Sequence, residues 1–242
     1  WIVQGAFAWL ILPLLGALLA VPEGHCLCEL VSSENSFNIG MTILFGVLWG
    51  VGGLTFGLSM RYLGVALGQS IALGTCAGLG TVMGPILLNI FFPEQGALAS
   101  LTTSVLLGVA VTLLGIAIIG IAGSMKASTL SEEEKKAAVK DFNFPRGIVI
   151  ALLAGFMSGC FNVGLAFGEG INFGELTPDM FKTLPATFLV TLGGFATNAI
   201  YCFYQNHKNG TWSDYRKGNV WINNLFFCVL AGALWYSQFF GL

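Results

Sequence analysis

The sequence predicts an all-α integral membrane protein, a polytopic bundle of apolar helices. Three observations carry this. Charged residues make up 9% of the chain, against roughly 25% in a typical soluble domain. A soluble fold of this length could not cover its surface with so few charges, whereas lipid removes that requirement. Seven apolar segments are long enough to cross roughly 30 Å of hydrocarbon at about 20 residues each. Finally, the connections between them alternate between basic and acidic.

The segments fall near Ile2–Val21, Ile39–Met60, Leu63–Ile90, Leu101–Ala122, Gly147–Phe167, Leu184–Tyr204 and Val220–Phe240. The second and third are joined by a tight turn at Arg61. Glycines lie at Gly46, Gly50, Gly53 and Gly57 before it and at Gly64 and Gly68 after it. Four-residue glycine spacing predicts a hairpin whose backbones nearly touch. The third segment is overlong, and Gly84-Pro85 is expected to kink it or end its regular part.

Orientation follows from the connections. Arg61, then Lys126, Lys135, Lys136, Lys140 and Arg146, then Lys208, Arg216 and Lys217 occupy alternate connections, nine of the ten basic residues. The intervening ones carry Glu23, Glu29, Glu34, Glu94, Glu169, Glu175 and Asp179, with Lys182 as their single base. The positive-inside rule makes residues 61–62, 123–146 and 205–219 cytoplasmic. The charge balance of −2 points to no partner class, and no basic cluster suggests nucleic acid. Within the long polar connection, Glu132–Lys136 is expected to form a short surface helix capped by Ser131. That connection, residues 124–146, divides residues 1–123 from residues 147–242.

The start at Trp1 and the end inside an apolar run read as a fragment of a longer membrane protein. Gly53-x-x-Phe56 in the second segment matches Gly232-x-x-Trp235 in the seventh, five spans later. An odd offset reverses direction, so a five-helix repeat would be inverted, the usual build of secondary transporters with substrate held near the midplane.

Four stretches carry a resemblance to a known family: Phe45-Gly-x-x-Trp49-Gly, Phe56-Gly-Leu-Ser-Met-Arg-Tyr-Leu-Gly64, Gly84-Pro85-Ile86 and Leu234-Trp-Tyr-x-Gln238-Phe-Phe240. They resemble the L-rhamnose–proton symporter family of the drug/metabolite transporter superfamily. The resemblance implies ten spans in two inverted five-helix halves, with this chain covering the second to the eighth. It also implies uptake of a deoxyhexose driven by a proton gradient, in a bacterial cytoplasmic (inner) membrane.

A sugar needs hydrogen-bonding side chains and flat aromatic faces, and inside a bilayer both are costly enough to stand out. Trp49, Gln69, Asn162, Trp235, Tyr236 and Gln238 are the expected substrate contacts. Trp49 lies too deep for an interfacial belt, and Gln238 is at i+3 from Trp235, on the same helix face. Asn198 reads either as substrate contact or as interhelical glue. Trp1, Trp212 and Trp221 read as belt residues. Proton coupling needs a titrating group, and the nearest acid to a span is Glu169. Arg61 reads as a topology anchor with a gating role as the alternative, and His207 as surface.

No cofactor is expected. Cys76, Cys160, Cys202 and Cys228 read as small packing residues. His25-Cys26-x-Cys28 lacks a second ligand pair, so no metal site is expected there. Asn209-Gly-Thr211 matches a glycosylation sequon in a connection expected to be cytoplasmic, and so to stay unmodified. No acid, base and nucleophile face one another as an enzyme requires. The remaining rivals are a transporter or exporter of another small metabolite and a membrane sensor or scaffold.

Overall fold

A computed structural model describes residues 1–32, 36–129, 141–216, 218 and 221–241. All regular elements among them are helical: α1 (Ile2–Leu19), α2 (Leu27–Ser32), α3 (Ser36–Leu63), α4 (Val65–Phe91), α5 (Thr103–Thr129), α6 (Phe144–Gly168), α7 (Leu184–Asn209) and α8 (Trp221–Ser237). Six of these, α1 and α3 to α7, are long and apolar enough to cross a membrane. The seventh expected span, α8, has 17 residues and continues as a 3₁₀ turn over Gln238–Gly241. Seventeen residues sit at the lower bound of a spanning helix, about 26 Å at 1.5 Å per residue. The surface helix expected at Glu132–Lys136 lies outside the described residues.

Two local features follow from single residues. Pro13 brings no N–H to the turn before it, and the helix there widens to a π turn over Phe7–Ile11, with the Leu12 amide bonded to the Phe7 carbonyl. Between α3 and α4 stands one residue, Gly64, at φ +82° and ψ 163°. Side chains with a Cβ essentially never adopt that conformation. Pro85 does not end α4, which runs unbroken through it.

The chain forms two compact units, Trp1–Val47 with Phe167–Leu242, and Leu48–Ala166. In the first, α1 packs on α7 and α8, and the first turns of α3 run along α7. Backbone meets backbone there. A Cβ on Gly46 would stand 2.1 Å from the Val190 carbonyl oxygen, and one on Gly193 2.3 Å from that of Ile43. Thr197 Oγ1 adds a hydrogen bond of 3.1 Å to the Val47 carbonyl. Leu30, Ile39, Ile171 and Leu189 form a buried cluster in this unit.

In the second unit, α4 is the centre. Gly74 and Gly78 receive Ile116 and Leu113 of α5, and Gly155 of α6 receives Thr75. Leu63, Ile71, Ala72, Ala151 and Ala154 make its core. The most apolar window of α5 has none of its residues buried, with Val111 68% and Ile118 66% exposed, as lipid contact requires.

The glycine spacing was legible, but not the partners of these glycines. Near the turn Gly68 does lie against the Ser59–Met60 backbone of α3. Gly46 instead meets α7, while Gly53 and Gly57 face open space. Of these four glycines, the one that packs α3 against α4 is Gly68, near the tip of the hairpin. Spacing creates a smooth stripe, and packing chooses what fills it.

Candidate functional site

In the second unit, Trp49 is the fourteenth of the 28 residues of α3, at its middle. Its indole meets the Phe161 ring of α6 edge-on, with centroids 5.0 Å apart. The next residue, Asn162, rests its amide over Gly80 of α4. A Cβ on Gly80 would stand 2.8 Å from Asn162 Nδ2. The α4–α6 crossing is close enough for this because Gly80 and Gly159 face each other. Trp49 and Phe161 thus meet between α3 and α6, whereas Asn162, whose side chain lies over Gly80 of α4, is exposed. Gln69 does not join them. It lies on the exposed side of α4, 11 residues before Gly80, about 16 Å along the helix.

In the first unit, Trp235 of α8 sits in an aromatic row. Trp9 of α1 meets it edge-on at 6.2 Å, Trp1 meets Trp9 at 5.4 Å, and Phe239 meets Trp235 at 5.2 Å. Trp9 was not among the expected contacts; the signal in the sequence was Pro13, four residues on, which marks an irregular turn at that indole. Trp1 Nε1 donates to Asn198 Oδ1 at 3.0 Å, and Asn198 Nδ2 donates to the Gly194 carbonyl at 2.9 Å. Asn198 is 1% exposed and ties α1 to α7.

Two expected contacts have other uses here. Tyr236 is buried, its ring beside Phe239 and Phe240, and its hydroxyl is seated on Gly16 of α1. Gln238 is exposed and donates Nε2 to the Trp235 carbonyl at 2.7 Å, capping the end of α8. Its i+3 relation to Trp235 is real but reaches backbone, not ring.

The charged groups lie at helix ends. Arg61 Nε donates to the Asp141 carboxylate, and the Asn143 amide donates to the Tyr62 carbonyl at 3.1 Å. Together they fix the start of α6 against the α3–α4 turn. Glu169 is exposed one residue beyond α6, where Asn172 Nδ2 donates to its backbone carbonyl at 2.7 Å. His25 and Glu29 bond at 2.8 Å beside α2, and Cys26 and Cys28 are joined as a disulfide. Bonding to His25, more than to the Cys26 amide, holds the Glu29 carboxyl below the usual glutamate range. The described residues hold no group of three or more His, Cys, Asp and Glu side chains able to bind a metal.

Long apolar helices, close glycine crossings, and aromatic and amide side chains set within them define a polytopic helical membrane protein. The family model of the L-rhamnose-proton symport protein matches residues 1–242, and the chain belongs to that family. It is similar to the L-rhamnose-proton symporter of Yersinia pestis bv. Antiqua (strain Antiqua), 32% identical over 257 residues, covering 99% of this chain and 69% of the relative. The L-rhamnose-proton symporter of Yersinia pseudotuberculosis serotype O:1b (strain IP 31758) is similar to the same degree, again 32% over 99% of this chain and 69% of the relative. No solved structure matches the chain.

Proposed function

We propose that the chain works as a secondary transporter that carries L-rhamnose, or a similar deoxyhexose, inward with a proton by alternating access. The observation that carries this reading is the family match over the whole of residues 1–242. A symporter is a transporter and not an enzyme, in keeping with long apolar helices whose polar groups are few. Trp49 with Phe161, and the exposed amide of Asn162, are the first proposed sugar contacts: rings for the C–H face and an amide for hydroxyls. Trp235, with Trp9, supplies a second aromatic face.

The proposed membrane is the bacterial cytoplasmic membrane, with residues 61–62, 123–146 and 205–219 inside. Support comes from the basic connections and from the Cys26–Cys28 disulfide on the opposite side, where an oxidising periplasm would maintain it. Residues 1–123 would then belong to one inverted half and residues 147–242 to the other, with 124–146 as linker. Glu169 is the proposed proton-responsive group, because it stands directly at the outer end of α6.

Proteoliposomes of the purified protein with an inward proton gradient should accumulate labelled L-rhamnose above its equilibrium level. Uptake that is indifferent to both the sugar and the gradient would remove this reading.

A further inference from the structure

Within the first unit, the end of α7, the start of α8 and the first residues of α1 border an open cleft with a cavity volume of about 550 Å³. Small-molecule sites span roughly 300–1,000 Å³. Three aromatic rings line it, Trp1, Tyr215 and Trp221, together with the amides of Asn206 and Asn224 and the carboxylate of Asp214. None of the six belongs to the sugar contacts proposed above.

The wall is built, not incidental. Gly210, at φ +65°, stops α7, and the Thr211 amide returns to the Asn206 carbonyl at 3.1 Å. Thr211 Oγ1 donates to Asn206 Oδ1 at 2.7 Å, and Asn206 Nδ2 donates to the Tyr215 hydroxyl at 2.9 Å. Phe203 meets Trp212 edge-on at 5.0 Å and holds the turn onto α7. Opposite, Trp221, Asn224 and Cys228 recur at i, i+3 and i+7, one face of α8. Trp1 closes the side, its indole anchored to Asn198.

Flat rings beside neutral amides and one carboxylate match a pyranose, which presents an apolar C–H face and a rim of hydroxyls. A purely apolar wall would suit a lipid chain, and a basic one would suit a phosphate; this wall is neither. We propose that the cavity is a second sugar subsite on the cytoplasmic side, holding the monosaccharide as it leaves. The proposal rests on the sugar-transport reading and extends it.

Cys228 lies on the cavity wall and serves as the reporter. A triple variant, Cys76→Ala, Cys160→Ala and Cys202→Ala, leaves it as the reactive thiol among the four free cysteines. In proteoliposomes of that variant, L-rhamnose should slow labelling by a membrane-permeant maleimide at least fivefold, and sucrose should not. Adding Asn224→Leu should raise the sugar concentration giving half-protection at least tenfold. Trp221→Phe should act in the same direction if Asn224→Leu fails to fold. Rhamnose uptake is measured in the same vesicles. With uptake intact, labelling unchanged by the sugar, or half-protection unmoved in the folded variants, overturns the subsite alone. Absence of uptake in the parent overturns the transport reading beneath it.

Discussion

The Tyr236 hydroxyl stands where any side chain at Gly16 would have to go: a Cβ built there falls 2.0 Å from the oxygen. The hydroxyl has no hydrogen-bond partner among the described residues, and Tyr236 is 3% exposed. Gly16→Ala should therefore lower the stability of the purified protein by about 1–3 kcal/mol through overpacking. Tyr236→Phe should be neutral or stabilising, since it removes a buried unsatisfied group. In the double variant part of the Gly16→Ala loss should return, since the ring carbon Cζ still stands 2.9 Å from the added Cβ. Thermal unfolding in detergent measures all three, and equal losses for Gly16→Ala in both backgrounds would contradict the contact.

The α3–α7 crossing makes a sharper contrast among glycines that look alike in sequence. Gly193→Ala places a methyl 2.3 Å from the Ile43 carbonyl oxygen. It should destabilise by about 2 kcal/mol or more, because backbone cannot yield as a side-chain tip does. Gly53→Ala meets nothing within 4 Å and should gain up to about 1 kcal/mol of helix propensity. Melting temperatures that move together would show that the two glycines share one role.

Much of the helical frame was legible because a membrane writes length and hydropathy plainly into a chain. A tight turn between the second and third segments was legible too, but it falls at Gly64 and not at Arg61, which belongs to the last turn of α3. The choice of helix partner was not, since Gly46 and Gly53 differ only in what lies opposite. Of the expected contacts, Trp49 meets the Phe161 ring, a partner that the sequence did not single out, while Asn162 is exposed over Gly80. Tyr236 and Gln238 share their helix turn with Trp235, and spacing alone does not tell a packed or capping side chain from one that faces a ligand. That Cys26 and Cys28 close on each other as a disulfide was not read from the sequence.

The loop before α2 should respond to acid. The Cys26 amide donates to Glu29 Oε1 at 3.0 Å, and His25 lies 2.8 Å from Oε2. The folded pKa of Glu29 lies below its ordinary 4.5, so the contribution is present above that value and is lost as pH falls through the lower folded one. Hydrogen exchange at the Cys26 amide, corrected for intrinsic rates, should stay protected above pH 4.5 and lose protection only as pH falls below it. Glu29→Gln should flatten that profile, and a parent profile already flat would contradict the assignment.

The Gly64 turn should be intolerant of any Cβ. At φ +82° and ψ 163°, Gly64→Ala should cost about 1–3 kcal/mol. Arg61→Gln, one turn earlier, breaks an exposed ion pair with Asp141 and should cost less than about 1 kcal/mol. Denaturation of the two variants side by side checks the ranking, and a larger loss for Arg61→Gln would reverse it.

Coupled movement of sugar and proton is tested most directly in lightly buffered proteoliposomes with no imposed gradient. Adding L-rhamnose outside should make the external medium more alkaline as protons enter with the sugar. Trp49→Ala, still folded, should reduce the initial rate about tenfold, a loss of ~1.4 kcal/mol in transition-state terms. Labelled sugar entering while external pH stays constant, or a Trp49→Ala rate equal to the parent, would contradict the account.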